Sequence, residues 1–335
     1  MVKNVLMRDV ANLAGVSSQT VSRVLSGKTN VSDSTKHRVL QAVEALGYRP
    51  NRLAASLASG ESSLVGVLRV GHLSYGRAQS YIHFERIQNS NGLYVVSASV
   101  DYDDRDDWKR GLDYLQSIRL RALVIMSQNV TIAQYLNPLL RQPTVLAMNE
   151  ADASCKLARV ELEQLQSMEK LLAHLYSLGC RRIVHISPEH NEIDANLRCQ
   201  AYLDFCEVHD LEPFVLKVPD WSSESGTYAA QQLSTYTFDA ISAANDWIAL
   251  GVSTKLFNCY GMLAGRDYAL TGYDDTDFAP YVSPALTTVR QDYTQLAISI
   301  SAQIDSLLSD KKPGCTILEN TLVIRESTLN YQAAR

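Results

Sequence analysis

Apolar and polar residues follow two different rhythms along this chain, and the change between them falls near residue 63. In DVANLAGVSSQTVSRVLSG, from Asp9 to Gly27, Val10, Leu13, Ala14, Val16, Val21 and Val24 recur at helical spacing on both sides of Gly15. The spacing predicts a helix, a tight glycine turn and a second helix. Ser17 is placed to cap the second helix, and Gly27 to stop it. VSDSTKHRVLQAVEALGYRP predicts a third helix, with Ser32 as cap, a buried stripe of Val39, Leu40, Val43 and Leu46, and Gly47 with Pro50 as stop. Helices this short do not persist alone, so the three are expected to share one small core. The next stretch, NRLAASLASGESS, carries Asn51 as a cap and Leu53, Ala54 and Leu57 on one helical face. It predicts one or two turns of helix that form only against a partner.

From Leu64 onward, short β-rich apolar runs (LVGVLRV, LYVVSASV, ALVIMS, PTVLAMN) alternate with stretches of helical spacing such as WKRGLDYLQSIR. RRIVHIS, FVLKVPD, FDAISAAN and YALTGYDD repeat the alternation after a helix around residues 164–178, and TTVRQDYTQLAISISAQIDSLL follows as a return segment. Strand and helix alternating over this length imply parallel sheets built from βαβ units. In such open sheets a ligand sits at the carboxyl ends of the strands.

Three short helices with glycine in the first turn describe a helix-turn-helix, whose second helix enters the DNA major groove. Charge supports that reading. Residues 1–62 hold eight Lys/Arg against four Asp/Glu, while the whole chain of 335 residues is at −5. A basic head on an acidic body suits phosphate contact by the head alone. On the second helix Ser18, Gln19 and Arg23 face outward, where Gln pairs bidentately with adenine and Arg with guanine. Ser17, Thr20, Ser22 and Asn30 are better placed for phosphates. Leu57, at the tip of the short helix, is expected to wedge into a minor-groove base step, with Asn51 at that helix's start.

Composition narrows the remaining classes. No run approaches the roughly 18 apolar residues of a membrane span, and MVKNVLMRDV does not read as a signal peptide. The six cysteines are scattered without a C-x-x-C pair, so reduced thiols in a cytoplasmic protein are expected, with no metal and no cofactor. There is no G-x-S-x-G, H-E-x-x-H or P-loop pattern. The carboxylates of DYDDRDDW suit a solvated loop, and His185 and His190, near a strand end, are the only hint of a hydrolytic site. Candidate ligand contacts fall at strand ends. The Arg198 guanidinium offers a fixed fork of donors to adjacent hydroxyls, Asn245 and Asp274 supply matching donors and acceptors, and Trp221 offers an apolar face.

Residues 7–60 resemble the DNA-binding head and hinge helix of the LacI/GalR family of bacterial repressors, on the pattern DVAxxAGVSxxTVSRVL followed by VSxxTxxRVxxAxxxLGYxPNxxAxxL. PDWS, AND, GYDDT and LTTVRQDY extend the likeness to residue 330, most closely to galactoside-responsive members. The resemblance implies an all-α helix-turn-helix head (1–49), a hinge helix (50–62) and an α/β two-lobed periplasmic-binding-protein-like core (63–335). The first lobe would span 63–163 and 293–322, and the second 164–292 and 323–335. It raises Arg198, Asn245 and Asp274 as sugar contacts, and places Tyr293 where a relative has a phenylalanine beside its inducer. Asn149 falls where relatives carry a carboxylate at the ligand. Val70, Ser127, Tyr75 and Arg77 depart from the pattern in the first lobe. The resemblance further implies a non-enzymatic homodimer on a pseudo-palindromic double-stranded DNA operator, controlled by a small sugar. A purine effector, corepression or activation is the alternative within the class, and a transport-type sugar-binding protein the alternative outside it. ESTLNYQAAR after Arg325 lacks the leucine heptads of a tetramerising tail.

Overall fold

The computed structural model describes residues 5–25, 31–49, 62–72, 74–129, 131–148, 155–189, 192–329 and 331. The chain divides into two compact units, residues 1–62 and 63–335. In the first, α1 (Met7–Ala14), α2 (Ser18–Leu25) and α3 (Asp33–Leu46) surround a core of Val10, Ala11, Ala14, Val21, Val24, Val39, Ala42 and Tyr48. Gly15 ends α1 in the left-handed conformation at φ 64°, a geometry that a side chain would strain. Ser17 Oγ accepts from Thr20 N at 3.1 Å, and Ser32 Oγ from Thr35 N at 3.4 Å. These are the caps that the sequence predicts.

Two of the expected core residues are exposed, and Val16, Val43 and Leu46 are half-buried. Leu13 is 57% exposed and Leu40 45% exposed, while Ala11 and Ala42 occupy the core beside their helices' valines. Small side chains at a helix crossing let the backbones approach, which a leucine there would prevent. The expected stop at Gly27, Asn30, the hinge helix with Asn51 and Leu57, Asn149 and His190 all lie outside the described residues.

The second unit contains two parallel sheets. β1 (Leu64–Val70), β2 (Tyr94–Val100), β3 (Ala122–Met126), β4 (Thr144–Ala147), β5 (Ala158–Leu162) and β11 (Cys315–Leu318) form the first, in the order β11-β5-β4-β3-β1-β2. α4 (Tyr75–Ser90) and α5 (Arg105–Ser117) follow β1 and β2, and α6 (Ile132–Leu136) follows β3. β6 (Ile183–Pro188), β7 (Phe214–Val218), β8 (Ala240–Ala243) and β9 (Ala269–Thr271) form the second sheet, in the order β7-β6-β8-β9. Here α7 (Leu165–Ser177) precedes β6, α8 (Ile193–Val208) and α9 (Ser223–Leu233) follow β6 and β7, and α10 (Asp246–Tyr260) follows β8.

β10 (Thr288–Arg290) pairs antiparallel with β12 (Thr321–Val323), while α11 (Tyr293–Leu308) returns to pack on the first sheet. The short α12 (Glu326–Leu329) rests on β9, where Ser327 Oγ donates to Leu270 O at 2.6 Å. The chain thus crosses between lobes three times, after β5, after β10 and after β11. The helical head and two-lobed parallel-sheet core are the fold class the sequence implies. β5 escapes the sequence pattern because ARVEL carries Arg159 and Glu161, which pair at 3.2 Å.

Helices α9 and α10 meet backbone to backbone. A Cβ on Gly251 would lie 1.9 Å from Ser223 O, and one on Gly226 2.1 Å from Ile248 O. Neither neighbour is a flexible side chain, so the helices must separate to admit a methyl group. Gly251→Ala is expected to cost about 3 kcal/mol, read as a lowered urea midpoint. An unchanged midpoint would show that this contact is dispensable.

Candidate functional site

Two surfaces carry the chemistry that the sequence singled out. On the first unit, Ser17, Ser18, Gln19, Ser22 and Arg23 are exposed along α2, opposite buried Val21 and Val24. Ser17 and Thr20 share a hydroxyl hydrogen bond at 3.0 Å, so the cap and the candidate phosphate contacts are the same atoms. The outward row of Gln19 and Arg23 follows from the inward register of the valines.

In the second unit, the carboxyl ends of both sheets converge on one cleft. β1 leads to Ser74 and Gly76 at the start of α4, β3 to Gln128, and β4 to Met148. Across the cleft stand Asp194 and Arg198 on α8, Trp221 after β7, Asn245 after β8, Asp274 after β9 and Gln291 after β10. Together they line a small cavity of about 20 Å3. Arg198 is the centre of the arrangement. It is 2% exposed, donates through Nε to Gln164 Oε1 at 2.9 Å and through Nη1 to Ala244 O at 2.6 Å, and lies 3.6 Å from Asp194 Oδ2. Its guanidinium stacks 3.6 Å from the centre of the Tyr273 ring and 5.6 Å from that of Trp221.

Asp274 sits at φ 114°, outside the usual range for a side-chain-bearing residue. Its Oδ1 accepts from Gln291 Nε2 at 2.7 Å, and the same amide donates to the Tyr293 hydroxyl at 2.9 Å. Burial pushes the Asp274 carboxyl up to about 6 against the pull of Arg198, and Asp194 likewise to about 6. Asp246, buried beside them, is pushed up to about 7 by burial and by Asp274. It accepts from Thr276 N at 2.7 Å and Thr288 Oγ1 at 2.6 Å and stands outside the cavity.

Acids raised in this way hold protons in the folded state that the unfolded chain has already lost. Their contribution to stability therefore grows as pH falls from above 7 through 6 toward 4, and is absent at higher pH. Asp274→Asn is expected to flatten the rise in urea midpoint between pH 7.5 and pH 5. A slope as steep as that of the unaltered protein would remove Asp274 as its source.

The structure brings four of the expected ligand residues, Arg198, Trp221, Asn245 and Asp274, to one cavity, and corrects how some of them act. Asn245 is committed to local structure. Its Oδ1 caps α10 by accepting from Ile248 N at 2.8 Å, and its Nδ2 donates to Trp221 O at 3.0 Å. Tyr293 is buried behind Gln291 and Gly76, so it supports the wall from outside the cavity lining. His185 lies inside β6, fully buried and stacked on Tyr202, with Nδ1 against Ser242 O at 3.0 Å. Burial holds its pKa down to about 3, so it is a neutral packing residue. The carboxylates of DYDDRDDW serve α5: Asp104 Oδ1 accepts from Asp106 N and Asp107 N, and Asp107 pairs with Arg110 at 2.9 Å.

Sequence reasoning missed Gln128, Glu192, Asp194 and Gln291. Asp194 is legible as the acid four residues before Arg198 on one helix. The others act across the cleft, which local spacing does not reveal. Arg77 of the first lobe pairs with Glu192 of the second at 3.0 Å with both side chains buried. Gln128 Nε2 donates to Asp194 Oδ2, Ile193 N donates to Gln128 O at 3.1 Å, and Tyr75 reaches Asp277 at 3.5 Å. Among the described residues Gln128, which lines the cavity, has its Oε1 buried without a partner, an acceptor that a water or ligand donor would satisfy.

A helical head with an outward polar row, joined to a two-lobed core with a polar cleft, defines a DNA-binding transcriptional regulator with an effector-binding core. The chain belongs to the LacI family. Residues 6–51 match the model of bacterial regulatory proteins of the lacI family, and residues 172–328 that of the periplasmic binding protein-like domain. It is 27% identical to the lactose operon repressor of Escherichia coli K12, covering 99% of this chain and 93% of that one. It is 27% identical to the transcriptional regulator GalR of the same organism, over 96% and 95%. A crystal structure of the lac repressor dimer bound to operator and the anti-inducer ONPF matches with a TM-score of 0.87 at 27% identity, over 98% of this chain and 100% of that one. These relatives are regulators of transcription, and the chain is a regulator rather than an enzyme. No described helix is long and apolar enough to cross a membrane.

Proposed function

We propose that the protein is a homodimeric repressor that binds a pseudo-palindromic operator through α2 and releases it on binding a small sugar, of galactoside type, in the bacterial cytoplasm. The observation that carries the sugar reading is the convergence of Arg198, Asp274 and Gln291 on one cavity at the strand ends. Charged and amide groups held at fixed positions recognise vicinal hydroxyls, and an indole beside them suits a sugar's apolar face. The relatives' names, lactose operon repressor and the ONPF-bound dimer, favour a galactoside. The exposed polar row of α2, Ser18, Gln19 and Arg23, favours base reading, carried by Gln19 and Arg23, with Ser17, Thr20, Ser22 and Asn30 at the backbone. The segment 50–62, with Asn51 and Leu57, would act as the hinge, and Asn149 is a further candidate sugar contact.

A cavity of about 20 Å3 admits roughly one water, so a sugar enters only when the lobes part. Parting them separates Gln128 from Asp194 and Arg77 from Glu192. A ligand that changes operator affinity does so by the same factor with which operator changes the affinity for that ligand, and one that favours the parted state weakens operator binding. The test is an operator titration at fixed salt, because phosphate contacts make affinity salt-dependent, repeated with galactosides, glucosides and purines. Release by a galactoside is the expected result. Release by a purine, or tightening by every active sugar, would overturn the proposed effector.

A further inference from the structure

With the whole chain at −5 and residues 1–62 at +4, residues 63–335 carry −9, and that charge is unevenly spread across the first sheet. Its six strands are all parallel, so their starts lie along one edge and their ends along the other. The four residues before each strand hold, over the six strands, six Lys/Arg and one Asp/Glu, Glu61. The four residues after each strand hold six Asp/Glu and no Lys/Arg. Arg119 and Arg121 precede β3, Arg141 precedes β4, Lys156 precedes β5, and Lys311 and Lys312 precede β11. All are exposed except Arg121, which is half-buried. Among the described residues Arg121, Arg141, Lys156, Lys311 and Lys312 pair with no carboxylate.

Protection of a sheet edge by lysine accounts for Lys311 and Lys312 beside the outermost strand β11. It does not account for Arg121, Arg141 and Lys156, which stand before the inner strands β3, β4 and β5. None of the exposed large apolar side chains falls in the four residues before β3, β4, β5 or β11. A stable protein interface has an apolar centre, whereas a polyanion asks only for charge. The chain from the head enters the core at this same edge, immediately before β1. Its thirteen residues, 50–62, span at most about 45 Å, which keeps the head's DNA within reach. Strands lie about 4.8 Å apart, so the cations extend roughly 19 Å from β1 to β11, the length of about six base pairs. A basic head tethered beside a basic edge repels it, and a polyanion taken up by both relieves that cost.

We infer that this basic edge of the first lobe binds the phosphates of DNA flanking the operator, so that phosphate contact is not confined to the head. The inference rests on the repressor reading and adds a second DNA surface to it. Arg141, Lys156, Lys311 and Lys312 supply the charge. They contact phosphates alone, so they add affinity and salt dependence without reading sequence.

The experiment is a salt titration of operator binding by the full-length protein on two duplexes that share one selected operator. The short duplex has about 20 base pairs, enough for two half-sites, and the long one about 50. Each phosphate contact adds about 0.9 to the slope of log affinity against log salt. With one edge contact per protomer of a dimer, the long duplex is expected to show a slope steeper by about two. Its advantage over the short duplex should then fall about tenfold between roughly 50 and 200 mM salt. The combined variant Arg141→Gln, Lys156→Gln, Lys311→Gln and Lys312→Gln is expected to remove most of that difference. It should bind the short duplex as the unaltered protein does, which also shows that it folds. Equal slopes on the two duplexes, or a variant that keeps the full difference, would overturn the inference, and the latter is the result expected of an edge built for an acidic protein. Equal weakening on both duplexes would overturn it too, by placing the effect at the operator itself. All three outcomes leave the repressor reading standing. If the unaltered protein binds neither duplex, that reading falls and the flanking contact with it.

Discussion

Arg198→Met is expected to leave a repressor that holds its operator and ignores sugar, at a cost of about 3–5 kcal/mol in stability, the usual result of removing one partner from a buried ion pair. The reason lies in what the guanidinium serves. It is 2% exposed and stands beside two carboxylates, Asp194 and Asp274, that burial already raises to about 6. Without it both acids face a low-dielectric site with no cation, and Gln164 Oε1 and Ala244 O lose their donor. Methionine fills the volume and supplies no hydrogen bond. Chemical denaturation reads the first effect, and operator titration with and without sugar reads the second. Because Arg198→Met risks misfolding, Arg198→Lys is the companion variant. It keeps the charge without the fork, so it should recover part of the stability and little of the sugar response. Full sugar release by the lysine variant would show that Arg198 neutralises the site without reading hydroxyls.

The second large effect is expected on α2. Each good bidentate base contact contributes about 1–3 kcal/mol of discrimination, so Gln19→Ala and Arg23→Ala should each weaken operator binding between roughly fivefold and 150-fold. The helix core should not change, since Val21 and Val24 hold it from the opposite face. The two losses should add if the side chains read separate bases. Salt dependence separates the roles. A base contact, when lost, relaxes preference at one position and leaves the slope of affinity against salt nearly unchanged. A phosphate contact, when lost, weakens all sequences alike and lowers the slope by about one. An Arg23→Ala protein of the latter kind would reassign Arg23 from base reading to positioning.

Much of this molecule is legible in its sequence because the relevant forces are local. Gly15 and Gly47 mark helix ends, since left-handed backbone favours glycine. Ser17 and Ser32 mark helix starts, since a short hydroxyl side chain reaches a free backbone N–H. The strands RRIVHIS and FDAISAAN are visible as apolar runs, and the residues just beyond them are site candidates because open sheets bind at their carboxyl ends. The same reasoning went astray at Leu13 and Leu40, where helical spacing marks a face without saying how wide the buried strip is. Asn245 lines the cavity, and its amide also caps α10 and donates to Trp221 O, a double role that spacing does not reveal.

The sequence by itself determined the class of the molecule, a basic helical head and parallel-sheet lobes, and offered Arg198, Asp274 and Trp221 as candidate ligand residues. Only the tertiary structure decided which groups face one another across the cleft. Arg77 and Glu192 are 115 positions apart, and Gln128 and Asp194 are 66 apart. No periodicity or cap connects such residues, because their meeting depends on three crossings of the chain between lobes and on helices such as α9 and α10 packing closely enough to fix the walls. The size of the cavity in the cleft is a property of that packing.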